Sequence, residues 1–115
     1  MPFEKSRKKF QTKRIRDLLH ENISQEIDIS VLTNELNISE SQLHYAFKKE
    51  YGITPKKYLQ QLRFNTIKKE LITANPNSVT ITDIAYKYNF LYMSHFITEY
   101  KKIFGQTPSQ TLNNN

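Results

Sequence analysis

The side chains with chemistry to offer in this chain are three histidines, a set of tyrosines and a spread of lysines and arginines. His20, His44 and His95 lie on three separate stretches of helical pattern, without the His-x-x-x-His spacing of a zinc-binding helix, and no cysteine is present to complete a metal site. Gly52 and Gly105 are the only glycines, too distant to build a phosphate-cradling loop. Catalysis needs a nucleophile, base or metal that converge, so the expectation is a protein that is not an enzyme and holds no metal and no cofactor. Recognition is better served. On a helix over about 40–51, the face opposite Leu43 and Phe47 presents Glu40, Ser41, His44, Tyr45 and Lys48, with Lys49 beside them. An imidazole can donate to a purine N7 or O6, a tyrosine can pack on a thymine methyl or bond a phosphate, and an ammonium suits phosphate oxygens. His95, by contrast, falls among positions expected to be buried, as a hydrogen-bonded core residue.

Such a face needs a scaffold, and the sequence carries one twice. Residues 47 to 55 run Phe-Lys-Lys-Glu-Tyr-Gly-Ile-Thr-Pro and residues 100 to 108 run Tyr-Lys-Lys-Ile-Phe-Gly-Gln-Thr-Pro, an offset of 53 that also pairs Leu43 with Phe96. Farther upstream the offset is 52, pairing Asp28 with Thr80, Ile29 with Ile81, Leu32 with Ile84, Asn37 with Asn89 and Ile38 with Phe90. The second copy has therefore gained one residue between Phe90 and Phe96, and the chain holds two copies of one helical unit.

Each copy is expected to be a short helix, a tight turn and a second helix. In the first, Asp28 caps a helix whose buried stripe is Val31, Leu32 and Leu36, and Asn37 ends it in the left-handed conformation that asparagine tolerates. Ser39 with Gln42 makes a capping box for the next helix, whose Leu43, Ala46, Phe47 and Tyr51 recur at helical spacing up to the stop at Gly52. In the second copy Thr80 with Asp83 makes the cap, Ile84, Ala85 and Tyr88 the stripe, and Asn89 the left-handed stop. Phe96, Tyr100, Ile103 and Phe104 form the buried face of its second helix, over about 92–104, where Leu91 sits at the place a capping residue should hold. In front lies a packing helix over 13–22 with Ile15, Leu18 and Leu19. Between the copies Thr54 and Pro55 open a long helix with Tyr58, Leu59, Leu62, Ile67, Leu71 and Ile72 along its stripe. The expected organisation is all-α, with about seven helices: a basic arm or linker over 1–12, a first helix-turn-helix unit over 13–53, a linker helix over 54–75 and a second unit over 76–115.

The net charge of +6 points less clearly than its placement. Residues 1 to 16 hold seven basic side chains against Glu4 alone, whereas the remainder holds ten of each sign and is neutral on average. A basic N-terminus of this kind serves equally as a solvated linker or as a nucleic-acid arm. No apolar run is long enough to span a bilayer and none follows the N-terminus as in a secretory signal, so the cytoplasm is the expected location.

A helix, a turn and a second helix is the scaffold that sets its second helix into the major groove of DNA. A connecting helix of about 20 residues is roughly 30 Å long, near the about 34 Å of one B-DNA turn, so two such units in tandem would suit successive groove segments of double-stranded DNA. Over roughly residues 28 to 112 the chain resembles the AraC/XylS transcription regulators. The resemblance is carried by Leu32 to Leu36, Ser39, Leu43, Phe47-Lys48-Lys49, Gly52, Thr54-Pro55, Tyr58, Leu62-Arg63, Ile84-Ala85, Phe90, Ser94-His95-Phe96, Lys101-Lys102, Phe104-Gly105 and Thr107-Pro108. It implies two recognition helices, with Ser41, His44 and Tyr45 at base-reading positions and Lys48 and Lys49 nearer phosphates. It also implies transcriptional activation through contact with RNA polymerase. Many members carry a sensor or receiver domain before this one, so the chain is either a small stand-alone member or the part that follows such a domain. Thr33 and Ile67 stand where the family usually has alanine, Asn89 where it has glycine and Thr98 where arginine is common.

The second recognition helix turns Tyr92, Met93, Ser94, Ile97 and Thr98 outward by its pattern, with no arginine, asparagine or glutamine for a bidentate base contact. Methyl contacts with an A/T-rich half-site, or a role confined to phosphates or a partner protein, are both open to such a face. Phosphate anchors are expected at Thr54 and Thr107, at the starts of their helices, and at Arg63, Lys101 and Lys102. Arg63 is equally suited to pairing with an acidic residue. The competing function is a helical protein-interaction module, such as an anti-regulator that keeps the fold without tight DNA binding.

Overall fold

The computed structural model describes residues 2–114, with side chains described from Thr12 onward. Among the described residues the chain is all helical, in the order α1 (Pro2–Glu21), α2 (Ile29–Leu36), α3 (Glu40–Tyr51), α4 (Pro55–Thr73), α5 (Ile81–Lys87), α6 (Met93–Phe104) and α7 (Pro108–Asn113). The chain divides into two compact units, Met1–Gln61 and Leu62–Asn115, and the boundary falls inside α4. The expected arm over 1–12 is backbone helix as part of α1 from Pro2 on, and the basic side chains before Thr12 lie outside the described residues.

In the first unit the core is Ile15, Leu18 and Leu19 of α1, Leu32 of α2, Leu43 and Phe47 of α3 and Leu59 of α4, with Ile27, Ile29, Leu36, Ile38, Tyr51 and Tyr58 packed against it. The ends of α2 and α3 are set by local chemistry. The Asp28 carboxylate accepts from the Ser30 amide at 2.9 Å and from the Ser30 hydroxyl at 2.8 Å, which holds its pKa below the ordinary value. Ser39 and Gln42 form the reciprocal capping box, at 3.0 and 3.1 Å. Asn37 takes φ 54 and Gly52 φ 80, the left-handed stops expected of them. Val31 corrects the expected stripe: it is 60% exposed. At 100° per residue Ile29, Leu32, Thr33 and Leu36 share one face, and Val31 points nearly opposite. Thr33 is buried in its place, its hydroxyl donating to the Ser30 carbonyl at 2.9 Å, so the departure from alanine leaves no polar group unsatisfied.

The second unit repeats the plan around an aromatic cluster. Phe64 of α4 lies 4.7 Å from Phe90 and 5.7 Å from Phe96, ring centre to ring centre, the latter pair stacked at 4°. Phe64 did not figure in the expected α4 stripe, yet it is fully buried with Ile67 and Leu71, whereas Ile72 is exposed. The Tyr100 hydroxyl donates to Thr111 Oγ1 at 2.8 Å and ties α6 to α7, and burial raises its pKa. At the last turn of α6, Phe104 packs on Tyr100 at 4.6 Å, and Ile103, expected in the core, is exposed instead. His95 is likewise exposed, because it precedes the buried Phe96 by one residue and so lies about 100° away from the core face. Glu70 of α4 accepts from Lys87 Nζ at 2.8 Å and from the Tyr88 hydroxyl. Desolvation opposes its charge, but these two donors outweigh it and hold the carboxyl below its ordinary pKa.

Candidate nucleic-acid interface

The two turns show how one unit became two. In both, the amide after the left-handed asparagine donates back to the first helix: Ile38 to the Thr33 carbonyl at 3.1 Å and Phe90 to the Ala85 carbonyl at 3.0 Å. Asn89 has φ 68, which is why asparagine serves where the family has glycine. Ser39 caps α3 and Tyr92 occupies the cap position of α6, so the residue gained in the second copy is Leu91, in the turn and exposed. Beyond it the offset is 53 throughout, and α3 and α6 are both 12 residues long, each ended by a glycine.

This register places the candidate residues pair by pair. Ser41, His44, Tyr45 and Lys48 lie on one outward face of α3, opposite the buried Leu43 and Phe47, with Lys49 on its flank. Tyr45 is 68% exposed, and the Lys49 ammonium stands 5.9 Å from its ring centre. His44 Nε2 lies 4.0 Å from the Glu40 carboxylate one turn back. On α6 the matching face is Ser94, Ile97, Thr98 and Lys101, with Lys102 on the flank, where it reaches Glu99 at 3.4 Å. Ile97 is 39% exposed and Tyr92 is 79% exposed. Met93 does not join them: it is half-buried, at the i, i+3, i+7 spacing that puts it with Phe96 and Tyr100.

The two helix starts expected to hold phosphates are less open than their sequence suggests. Thr54 Oγ1 accepts from the Lys57 amide at 3.3 Å and its carbonyl from Tyr58 at 2.9 Å, and Pro55 has no N–H. Thr107 is committed twice, accepting from the Gln110 amide at 3.2 Å and donating its own amide to the Gln110 side chain at 2.8 Å. Among the described residues, these caps take up neither the Lys56 nor the Ser109 amide, the second of each first turn. Lys56 and Lys57 are both exposed and join the cationic candidates. Their signal in the sequence is the Thr-Pro-Lys-Lys run of residues 54–57, two cations directly after a cap and a helix-opening proline. Arg63 is half-buried, and loss of water lowers its guanidinium pKa, which fits a bracing role better than an open phosphate contact. No group of three or more histidine, cysteine, aspartate or glutamate side chains able to hold a metal occurs among the described residues.

Residues 32–114 match the model of a helix-turn-helix domain family. The chain belongs to the AraC-type helix-turn-helix family of transcription regulators. It is 32% identical over 110 residues to the XylDLEGF operon transcriptional activator of Pseudomonas putida, covering 96% of this chain and 34% of that protein. Against the probable thc operon regulatory protein of Rhodococcus erythropolis it is 31% identical, over 84% of this chain and 29% of the other. The chain thus spans about a third of the length of these relatives. Among solved structures, a probable AraC family regulator from Rhodopseudomonas palustris superposes with a TM-score of 0.80 at 27% identity, over 90% of this chain and 95% of that one. The C-terminal domain of the response regulator yesN from Fusobacterium nucleatum gives 0.75 at 31% identity, over 87% and 95%. Membership of the AraC-type family makes the chain a DNA-binding regulator domain and not an enzyme. No helix among the described residues is long and apolar enough to cross a membrane.

Proposed function

We propose that the chain binds specific double-stranded DNA by laying α3 and α6 in two major-groove segments, and that it activates transcription. The observation that carries this is the shared register of the two helices, which keeps a serine and a pair of lysines at equivalent outward positions in both copies. Base edges fall to Ser41, His44 and Tyr45 in the first unit and to Tyr92, Ser94, Ile97 and Thr98 in the second. Lys48, Lys49, Lys101 and Lys102 take phosphates, with Lys56 and Lys57 adding charge beside Thr54. Activation is supported by the named activator among the relatives, and it brings RNA polymerase as a partner and the cytoplasm as the place of action. The relatives' greater length supports a sensor or receiver domain as the source of the signal.

A salt titration of duplex binding tests this reading. Affinity for a selected duplex is expected to fall steeply as salt rises, by about a hundredfold or more between about 50 and 200 mM if four or more phosphates are neutralised. The exposed apolar residues Leu91, Tyr92, Ile97 and Ile103 favour the second reading, a protein-interaction module. Absence of binding to any duplex at low salt would decide for that module.

A further inference from the structure

The two recognition helices are superposable in register but not in chemistry, and the difference is concentrated at two positions. His44 and Tyr45 of α3 correspond to Ile97 and Thr98 of α6, while Ser41, Lys48 and Lys49 correspond to Ser94, Lys101 and Lys102 without change. Ile97 offers no polar atom. The Thr98 hydroxyl donates to the Ser94 carbonyl at 2.9 Å, so its proton is committed to the helix and its outward contribution is a methyl group. His95 lies on the flank, at the position of Gln42, whose amide is turned back to cap α3. Tyr92 adds a ring at the start of α6 that makes no capping hydrogen bond.

Thymine alone among the four bases presents an apolar group in the major groove, its 5-methyl, and Ile97 and Thr98, the two positions where α6 differs from α3, have no free donor to offer purine acceptors. Lys101 and Lys102, held where Lys48 and Lys49 stand, keep that apolar face beside a polyanion. A surface made for an apolar protein partner has no need of that pair. We infer that the two units read different chemical alphabets: α3 selects its half-site by hydrogen bonds from His44 and Tyr45, and α6 selects thymine through its methyl groups, with Ile97 as the central contact and Thr98 and Tyr92 beside it. This rests on the proposal that α6 enters a major groove.

Selection of duplexes from a random pool with the full chain, followed by replacement of single thymines with deoxyuridine, separates the two claims. The α6 half-site is expected to be rich in thymine, and removal of each contacted methyl is expected to weaken binding about fourfold, the effect of one buried methyl. With Ile97→Ala that penalty shrinks to less than about twofold, while replacements in the α3 half-site cost the same in both proteins. Helix content and unfolding midpoint of the variant establish that it is folded, and the deoxyuridine series on the unmodified chain stands without it. If deoxyuridine binds as well as thymine throughout the α6 half-site, or if its penalty is undiminished in Ile97→Ala, methyl reading by Ile97 is overturned while DNA binding stands. If no duplex is selected even at low salt, the DNA reading of this chain falls and the inference with it.

Discussion

Asn37 and Asn89 hold backbone that most residues avoid, at φ 54 and 68, and each sits where a helix must stop so that a tight turn can begin. Asparagine lowers the cost of the left-handed region but does not remove it. Asn89→Ala is therefore expected to cost about 1 kcal/mol in chemical denaturation, and Asn89→Gly to cost nothing. An equal loss in both would mean that the side chain, and not the backbone conformation, holds the turn. The Glu70 cluster acts at the same scale through charge. Its carboxyl has a lowered pKa, so the stability it contributes is present above the ordinary glutamate range and is lost as pH falls through the shifted value. The pKa values of Lys87, raised chiefly by its bond to Glu70, and of Tyr88, raised chiefly by burial, move the other way. Their contribution is present below their ordinary values and is lost as pH rises through the shifted ones. The stability gap between the parent chain and Glu70→Gln is expected to be widest near neutrality and to close below about pH 4. An unfolding series that keeps the gap constant down to pH 3 would rule out the ion pair as its source.

At the scale of elements, the second unit depends on one large ring. Phe64 is surrounded by Phe90, Phe96 and Tyr100 and is 1% exposed. Phe64→Ala is expected to destabilise the second unit by about 3–5 kcal/mol, enough to melt α6 and α7 near physiological temperature, as tryptic cleavage would reveal. Most of the elements were legible beforehand because caps and stops are local chemistry: Asp28, Ser39, Thr80 and Thr107, with Asn37, Gly52, Asn89 and Gly105, bound the helices they were expected to bound. What sequence spacing did not settle was rotation about each helix axis. Val31, Ile72, His95 and Ile103, expected in the core, are exposed, and Phe64, outside the expected stripe, is buried, because a residue adjacent to a core position is apolar or polar for reasons that helical periodicity alone does not separate. Met93 missed its face for the same reason in reverse. The register of the two reading helices was more secure, since a repeat with a single added residue carries it without reference to rotation.

For the molecule as a whole, average charge said little and charge placement said more. Lysine pairs 48–49 and 101–102 recur at equivalent outward positions, and each is expected to contribute to the salt dependence of DNA binding. Replacing either pair by alanine should lower the slope of log affinity against log salt by about 0.9 for each lysine that meets a phosphate, across specific and nonspecific duplexes alike. A change confined to the specific sequence would place those lysines at base edges instead. The chain also has an asymmetry in time. Ser39 Oγ accepts from the Gln42 amide and the Gln42 side chain from the Ser39 amide whether or not anything is docked, whereas Tyr92 offers the equivalent His95 amide no capping side chain. The His95 amide is expected to exchange hydrogen rapidly in the free protein and to slow on binding DNA, while the Gln42 amide is slow throughout. If α6 meets DNA as proposed, the second unit finds at its target the acceptor that the first unit carries in its own sequence, so the two helix starts are expected to differ in how much docking steadies them.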